Sequence, residues 1–215
     1  MEEEVKWNSY FIDGTNTLKN KLEITDRGLL VQKEKEITFK KLVELYLKPI
    51  KGEFNAKHLK EIHKYLFEDI YYFAGEYRNV NISKNASSPF LDYTVIEEEL
   101  NYILNNIINK IMKNSNSDFL YAEQLATLYH KLIRVHPFRE GNGRTTREFM
   151  RELVLHCNDY FKDYDYELDF NRKEVDKNKL LEGSIAYQTQ IGELVLQFYY
   201  ALKKTKKEKN INKSR

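Results

Sequence analysis

Twelve consecutive residues, His136-Pro137-Phe138-Arg139-Glu140-Gly141-Asn142-Gly143-Arg144-Thr145-Thr146-Arg147, put an imidazole, a carboxylate, a small-residue turn and two spaced guanidiniums side by side. His136 is of a type that takes a proton from an attacking hydroxyl, a role worth roughly 10²–10⁴-fold in rate. Glu140 offers a hard oxygen ligand of the kind Mg²⁺ uses when it bridges phosphates. Gly141 and Gly143 let an anion approach the backbone without a Cβ in the way. Arg144 and Arg147, one helical turn apart, could each fork onto phosphate oxygens. Together these are the parts of a phosphate-transfer site.

The flanking sequence says how those groups are held. Tyr121, Leu125, Leu128, Leu132 and Val135 recur at three- and four-residue spacing, which predicts a helix leading into the run. Pro137 disfavours helical dihedrals at His136, so the helix should stop there and leave the imidazole on a turn. A second helix should begin around Gly143 or Arg144. Its apolar face carries Phe149, Met150, Leu153 and Cys157, with Arg144, Glu148 and Arg151 opposite. Gly141-Asn142-Gly143 then sits at a helix N-terminus, where unpaired N–H groups and the helix dipole favour an anion.

The run fits the Fic motif, His-x-Phe-x-(Asp/Glu)-Gly-Asn-Gly-Arg-x-x-Arg, at every specified position. The chain therefore resembles the Fic (Fido) family of protein AMP-transferases, over residues from about 9 to about 200. Gly14 to Leu22 looks like the opening helix of many Fic domains. Ile62 to Tyr71, followed by Phe73-Ala74-Gly75-Glu76-Tyr77-Arg78, looks like the stretch before their substrate-holding hairpin. The resemblance implies a mainly α fold with one short β-hairpin flap, and AMP transfer from Mg·ATP to a Ser, Thr or Tyr hydroxyl of another protein. By similarity His136 is the base and Glu140 the Mg²⁺ ligand. Gly141, Asn142 and Gly143 line the anion hole, Arg144 contacts the β-phosphate region, Arg147 holds the γ-phosphate, and Phe138 anchors the loop in the core. Ile82, Lys84 and Phe90 belong to the flap that would clamp a target peptide by strand addition.

Departures within the family mark the alternatives. Doc-like kinases have Lys where this chain has Gly143 and bind the nucleotide the other way round. Phosphocholine-transferring relatives have Ala in place of the first glycine, here Gly141. A catalytically silent, nucleotide-holding Fic fold is a further alternative. So is a zinc hydrolase built on His130, His136 and Glu140, although it lacks the paired His on one helix face that such sites use. Many Fic relatives are held inactive by (Ser/Thr)-x-x-x-Glu-(Gly/Asn), whose Glu pairs with the second arginine. Thr94…Glu98 and Thr189…Glu193 are followed by the wrong residues, and Glu182-Gly183 is preceded by Asn178 rather than Ser or Thr. The expectation is a toxin-like chain restrained in trans by a small antitoxin offering a Glu to Arg147.

Composition supports the helical reading, since only three prolines and eight glycines interrupt 215 residues. A net charge of +2 is too weak to argue for nucleic-acid binding. The single Cys157 excludes an internal disulfide and fits a reducing compartment. No apolar run is long enough to span a membrane. The protein is expected in a cytoplasm, its own or that of another cell. Residues 1–8 read as an acidic extension, 9–202 as the Fic domain and 203–215 as a disordered basic tail. Between these limits, Ile37–Leu47 and the stretch from Asn55 to Phe67 read as helices, the latter with surface or half-buried histidines. Residues 79–91 read as the exposed hairpin, and Ile96–Met112 as one amphipathic helix with Glu97, Glu98 and Glu99 at its positive end.

Overall fold

The computed structural model of the chain describes residues 2–83, 89–114, 117–185 and 187–207. Helices dominate: α1 (Glu2–Ser9), α2 (Arg27–Leu47), α3 (Ala56–Phe67), α4 (Ile96–Leu104), α5 (Ile107–Asn114), α6 (Asp118–Val135), α7 (Asn142–Cys157), α8 (Lys177–Ile185) and α9 (Tyr187–Ala201). One antiparallel pair joins β1 (Tyr164–Leu168) to β2 (Leu202–Lys206), with Tyr166 opposite Lys204. The chain divides into two compact units. The first comprises residues 1–107 and 131–149, the second 108–130 and 150–215. No described helix is long and apolar enough to cross a membrane.

Caps explain where the helices of the first unit begin. Asp26 is extended and accepts from the Leu29 N–H at 2.7 Å, which starts α2. Asn55 does the same for α3 through the His58 N–H at 3.0 Å. The core here includes Leu45, Leu59, Ile62, Leu66, Phe67, Ile96, Leu100, Phe138 and Phe149, all nearly or fully inaccessible. In the second unit Leu125, Leu153, Val154, Cys157, Leu194 and Phe198 are buried in the same way. Cys157 is inert in this setting, because burial pushes its thiol up to about 11.

Several expectations are corrected. Gly14–Leu22 is not helical: Phe11 bridges Leu18, and the Asn20 side chain bonds the backbone of Leu18, Leu22 and Ile24. Side-chain bonds of this local kind compete with a helix and win here. The helix expected from Ile37 starts ten residues earlier, at Arg27 (37 − 27 = 10). Ile96–Met112 is two helices, because Asn106 turns left-handed (φ +54°) after Asn105. The acidic extension read over residues 1–8 is helical, as α1. Lys203–Lys206 lie in β2 rather than in a disordered tail, and residues 208–215 lie outside the described residues. His58 and His63 are fully buried, and Glu148 is buried rather than solvent-facing.

Candidate active site

The twelve-residue run from His136 to Arg147 lies entirely in the first unit. α6 ends at Val135 and α7 begins at Asn142, so the intervening loop carries the imidazole and the carboxylate, as Pro137 predicts. His136 adopts φ +47° and Gly141 φ +81°. The glycine has a second reason to be there, since a Cβ on it would run into the Phe67 ring. The loop closes on itself through Asn142, which accepts from the Phe138 N–H at 2.8 Å and donates to the Phe138 carbonyl at 2.7 Å. The Asn142 side chain therefore shapes the loop, and only its backbone is left to face an anion.

Beneath the loop, Phe138 is fully buried and stacks flat on His63, with ring centroids 3.8 Å apart at 3°. His63 Nδ1 accepts from the Gly75 N–H at 2.8 Å. In a neutral ring the proton then belongs to Nε2, which donates to the Glu140 carbonyl at 3.0 Å. Burial drives His63 down to about 3, with Arg144 pushing the same way, so it stays neutral. Arg78 supports the other half of the loop. Its buried guanidinium donates to the carbonyls of His136 (2.8 Å), Val80 (2.8 Å), Val135 (3.2 Å) and Leu91, while its N–H donates to the Pro137 carbonyl at 2.9 Å. Val80 and Leu91 lie on the two arms of the hairpin, so one side chain ties the hairpin base to the loop that carries His136.

That hairpin is present at its base, where Ser83 bridges Pro89 and the Phe90 N–H donates to the Ile82 carbonyl at 3.2 Å. Lys84 lies outside the described residues. Phe90 stacks on the His136 ring, with centroids 3.7 Å apart at 16°. Burial depresses His136 to about 4 and Arg78 adds to the effect, against a weaker opposing bond to Ile133. The ring is therefore neutral at physiological pH. Its Nδ1 sits 3.3 Å from the Ile133 carbonyl, which places the proton there and leaves the Nε2 lone pair to accept one.

At the start of α7, Glu140 Oε1 accepts from the Gly141 N–H at 2.8 Å, and the side chain is 43% exposed. Among the described residues no group of three or more His, Cys, Asp or Glu could hold a metal alone. One exposed carboxylate does suit a Mg²⁺ ion whose other ligands are phosphate oxygens and water. Arg144 donates to Glu34 Oε1 and, at 3.1 Å, to Thr38 Oγ1, both on α2. It lies 4.9 Å over the Phe67 ring and 3.6 Å from Glu140. Arg147 has no carboxylate partner among the described residues, and its Nη1 would lie 3.2 Å from a Cβ placed on Gly143. Arg139 points away into a ring of Trp7, Tyr10 and Phe11, with its carbon 4.7, 5.5 and 5.1 Å from their centroids.

The structure brings together His136, Glu140, Gly141, Gly143, Arg144, Arg147 and Phe90 in one unit, with Ile82 at the hairpin base. It adds four supports that the sequence reading did not assign: His63, Arg78, Glu34 and Thr38. Only His63 carried a signal, as the one imidazole flanked by Leu59, Ile62, Leu66 and Phe67 on an apolar helix face.

Residues 53–154 match the Fic/DOC family. Protein adenylyltransferase VbhT of Bartonella schoenbuchensis is 32% identical over 80% of this chain, which spans about a third (34%) of that protein's length. An Escherichia coli protein named Probable protein adenylyltransferase Fic is 30% identical over 69% of this chain and 72% of its own length. Among solved structures, BepC of Bartonella tribocorum, with bound AMPPNP, shares the fold at TM-score 0.76 and 24% identity, covering 92% of this chain and 98% of that one. The N-terminal Fic domain of a VirB-translocated Bep effector protein of Bartonella quintana, with bound ADP, matches at TM-score 0.76 and 26% identity over 90% of this chain and 94% of that one. On its motif, its fold and its similarity to these proteins, the chain belongs to the Fic/DOC family.

Proposed function

We propose that the site transfers AMP from Mg·ATP to a Ser, Thr or Tyr hydroxyl of a target protein. The observation that carries this reading is a neutral imidazole, His136, on the same short loop as Glu140, directly before the N-terminus of α7. The target hydroxyl oxygen attacks the α-phosphorus while His136 Nε2 takes its proton. The bond between the α-phosphorus and its bridging oxygen breaks, and pyrophosphate leaves. Backbone N–H groups at Gly143 and Arg144 face the phosphates, Arg144 meets the β-phosphate region and Arg147 the γ-phosphate. Glu140 is the residue that would hold Mg²⁺ there, whose chemistry is to neutralise charge on the leaving group. Ile82 and Phe90 would seat the target strand beside His136. That relatives are named adenylyltransferases, and that similar domains hold AMPPNP or ADP, supports the same reading.

The proposal extends to control. With no carboxylate on Arg147 among the described residues, a small antitoxin offering a glutamate there would displace the γ-phosphate and misalign the α-phosphate. Glu182, exposed on α8, is the in-chain competitor for that role. Purified chain and a Glu182→Gly variant should auto-modify equally and strongly, whereas strong activation by that single change would make the inhibition internal. Incubation with a lysate and ATP labelled at the α- or the γ-phosphate tests the chemistry. Label should enter protein from the α position only. Label from the γ position only would make the chain a Doc-like kinase, and label from neither would make it a silent nucleotide holder. The expected setting is a cytoplasm, where Mg·ATP is supplied.

A further inference from the structure

We propose that Glu34 is a positioning residue for the site, acting through Arg144. This rests on the reading of the site as a nucleotide site. Glu34 is on α2, more than a hundred residues from the motif in sequence (144 − 34 = 110), and its side chain is 8% exposed. Both of its oxygens are used. Oε1 accepts from Arg144 Nη2, and Oε2 accepts from the hydroxyl of Tyr71, whose ring stacks on Phe73 at 4.7 Å. One helical turn along α2, Thr38 Oγ1 donates to the Glu34 carbonyl at 2.7 Å and accepts from Arg144 Nη1 at 3.1 Å. Glu34 and Thr38 thus grip both terminal nitrogens of the guanidinium from one side.

The grip fixes where the rest of the guanidinium points. Phe67 lies under its face at 4.9 Å, and the same ring lies where a Cβ on Gly141 would fall. Nη2 is also 3.6 Å from Glu140 on the loop. Arg144 therefore spans from a buried carboxylate to the exposed carboxylate that would hold Mg²⁺. Each terminal nitrogen carries two N–H groups, so one can stay with α2 while the other turns to an incoming phosphate oxygen. An arginine held in this way loses little rotamer freedom when the nucleotide binds, which is the advantage of a preorganised donor. Tyr71 holds Glu34 in turn, so its own effect is a further step removed.

Two alternatives predict different behaviour. A Glu34 that only stabilised the fold would act whether or not Arg144 were present. A Glu34 that blocked the site would, on removal, strengthen nucleotide binding. Calorimetric titration of the full chain with Mg·ADP separates these, using wild type, Glu34→Gln, Glu34→Ala, Arg144→Ala and the double variant Glu34→Ala/Arg144→Ala, with thermal melting as the check on folding. Glu34→Gln keeps the side-chain shape and an acceptor for Tyr71, and stands in should Glu34→Ala fail to fold. In that case its double variant with Arg144→Ala completes the cycle.

Removing the charge should weaken Mg·ADP binding roughly tenfold in the wild-type background and by less than about twofold once Arg144 is gone. Tyr71→Phe should weaken it about two- to threefold. An equal loss in both backgrounds, no loss in either, or tighter binding would each overturn the proposal. Wild-type chain that binds no Mg·ADP would instead overturn the nucleotide reading on which it rests.

Discussion

Arg144 and Arg147 are the same residue type, one turn apart on one helix, and the molecule treats them oppositely. The first is gripped by Glu34 and Thr38 of α2 and lies over Phe67. The second is half-exposed and has no carboxylate partner among the described residues. A fixed guanidinium suits a part of the ligand that every nucleotide state shares. A free one suits the group that distinguishes those states, or a carboxylate arriving from another protein. The motif spells both positions alike, and what separates them is a helix far away in sequence.

The largest effect expected anywhere in the site provides the background for comparing the two. His136→Ala should reduce AMP transfer by roughly 10²–10⁴-fold while leaving ATP affinity within about twofold, because in the proposed mechanism the imidazole meets the attacking hydroxyl rather than the phosphates. Transfer rate beside equilibrium binding checks this. In that silenced background both arginines can be compared by binding alone.

The next test reads folding. Arg144→Ala strands Glu34 as a buried carboxylate without its cation and should cost about 3 kcal/mol in urea unfolding. Arg147→Ala, at a half-exposed position with no carboxylate partner among the described residues to strand, should change stability by less than about 0.5 kcal/mol. Equal costs would remove the contrast.

A smaller effect appears in acid. Burial holds His63 and His136 neutral, to about 3 and about 4, against an ordinary value of 6.5. As pH falls below 6.5 the unfolded chain binds protons that the folded chain refuses. Stability conferred by these rings is therefore full above 6.5 and is lost down to about 4 and then about 3. The charge of Arg144 also holds His63 down, after burial. Arg144→Ala should thus make the fall with acid shallower, and Arg147→Ala should leave its slope alone, as read from unfolding midpoints between pH 7 and 4.

How much of this the sequence discloses depends on how local each determinant is. Pro137 stops α6 and Cys157 lies buried on the apolar face of α7, each legible from residues within a few positions of it, whereas the burial of Phe138 came by resemblance to the Fic motif and the positive φ of Gly141 came from the structure. Glu34 sits in Lys33-Glu34-Lys35-Glu36, a run that reads as a solvated face, and nothing local says that one carboxylate turns inward to Arg144. Arg78 is likewise visible as a basic residue but not as the donor to four carbonyls drawn from α6, the loop and both hairpin arms. β2 was hidden because Lys203, Lys204 and Lys206 look like a tail until Tyr164–Leu168 is there to pair with them. The helix expected at Gly14–Leu22 failed for the converse reason, since Asn20 satisfies nearby backbone groups by itself.

The division between the two arginines is tested most directly by the ratio of ATP to ADP affinity in His136→Ala, alone and combined with Arg144→Ala or Arg147→Ala. With Arg144 removed, both nucleotides should bind about tenfold more weakly and their ratio should hold. With Arg147 removed, ATP should lose its advantage and bind like ADP. A ratio that collapses equally with either arginine, or that survives the loss of Arg147, would contradict the account.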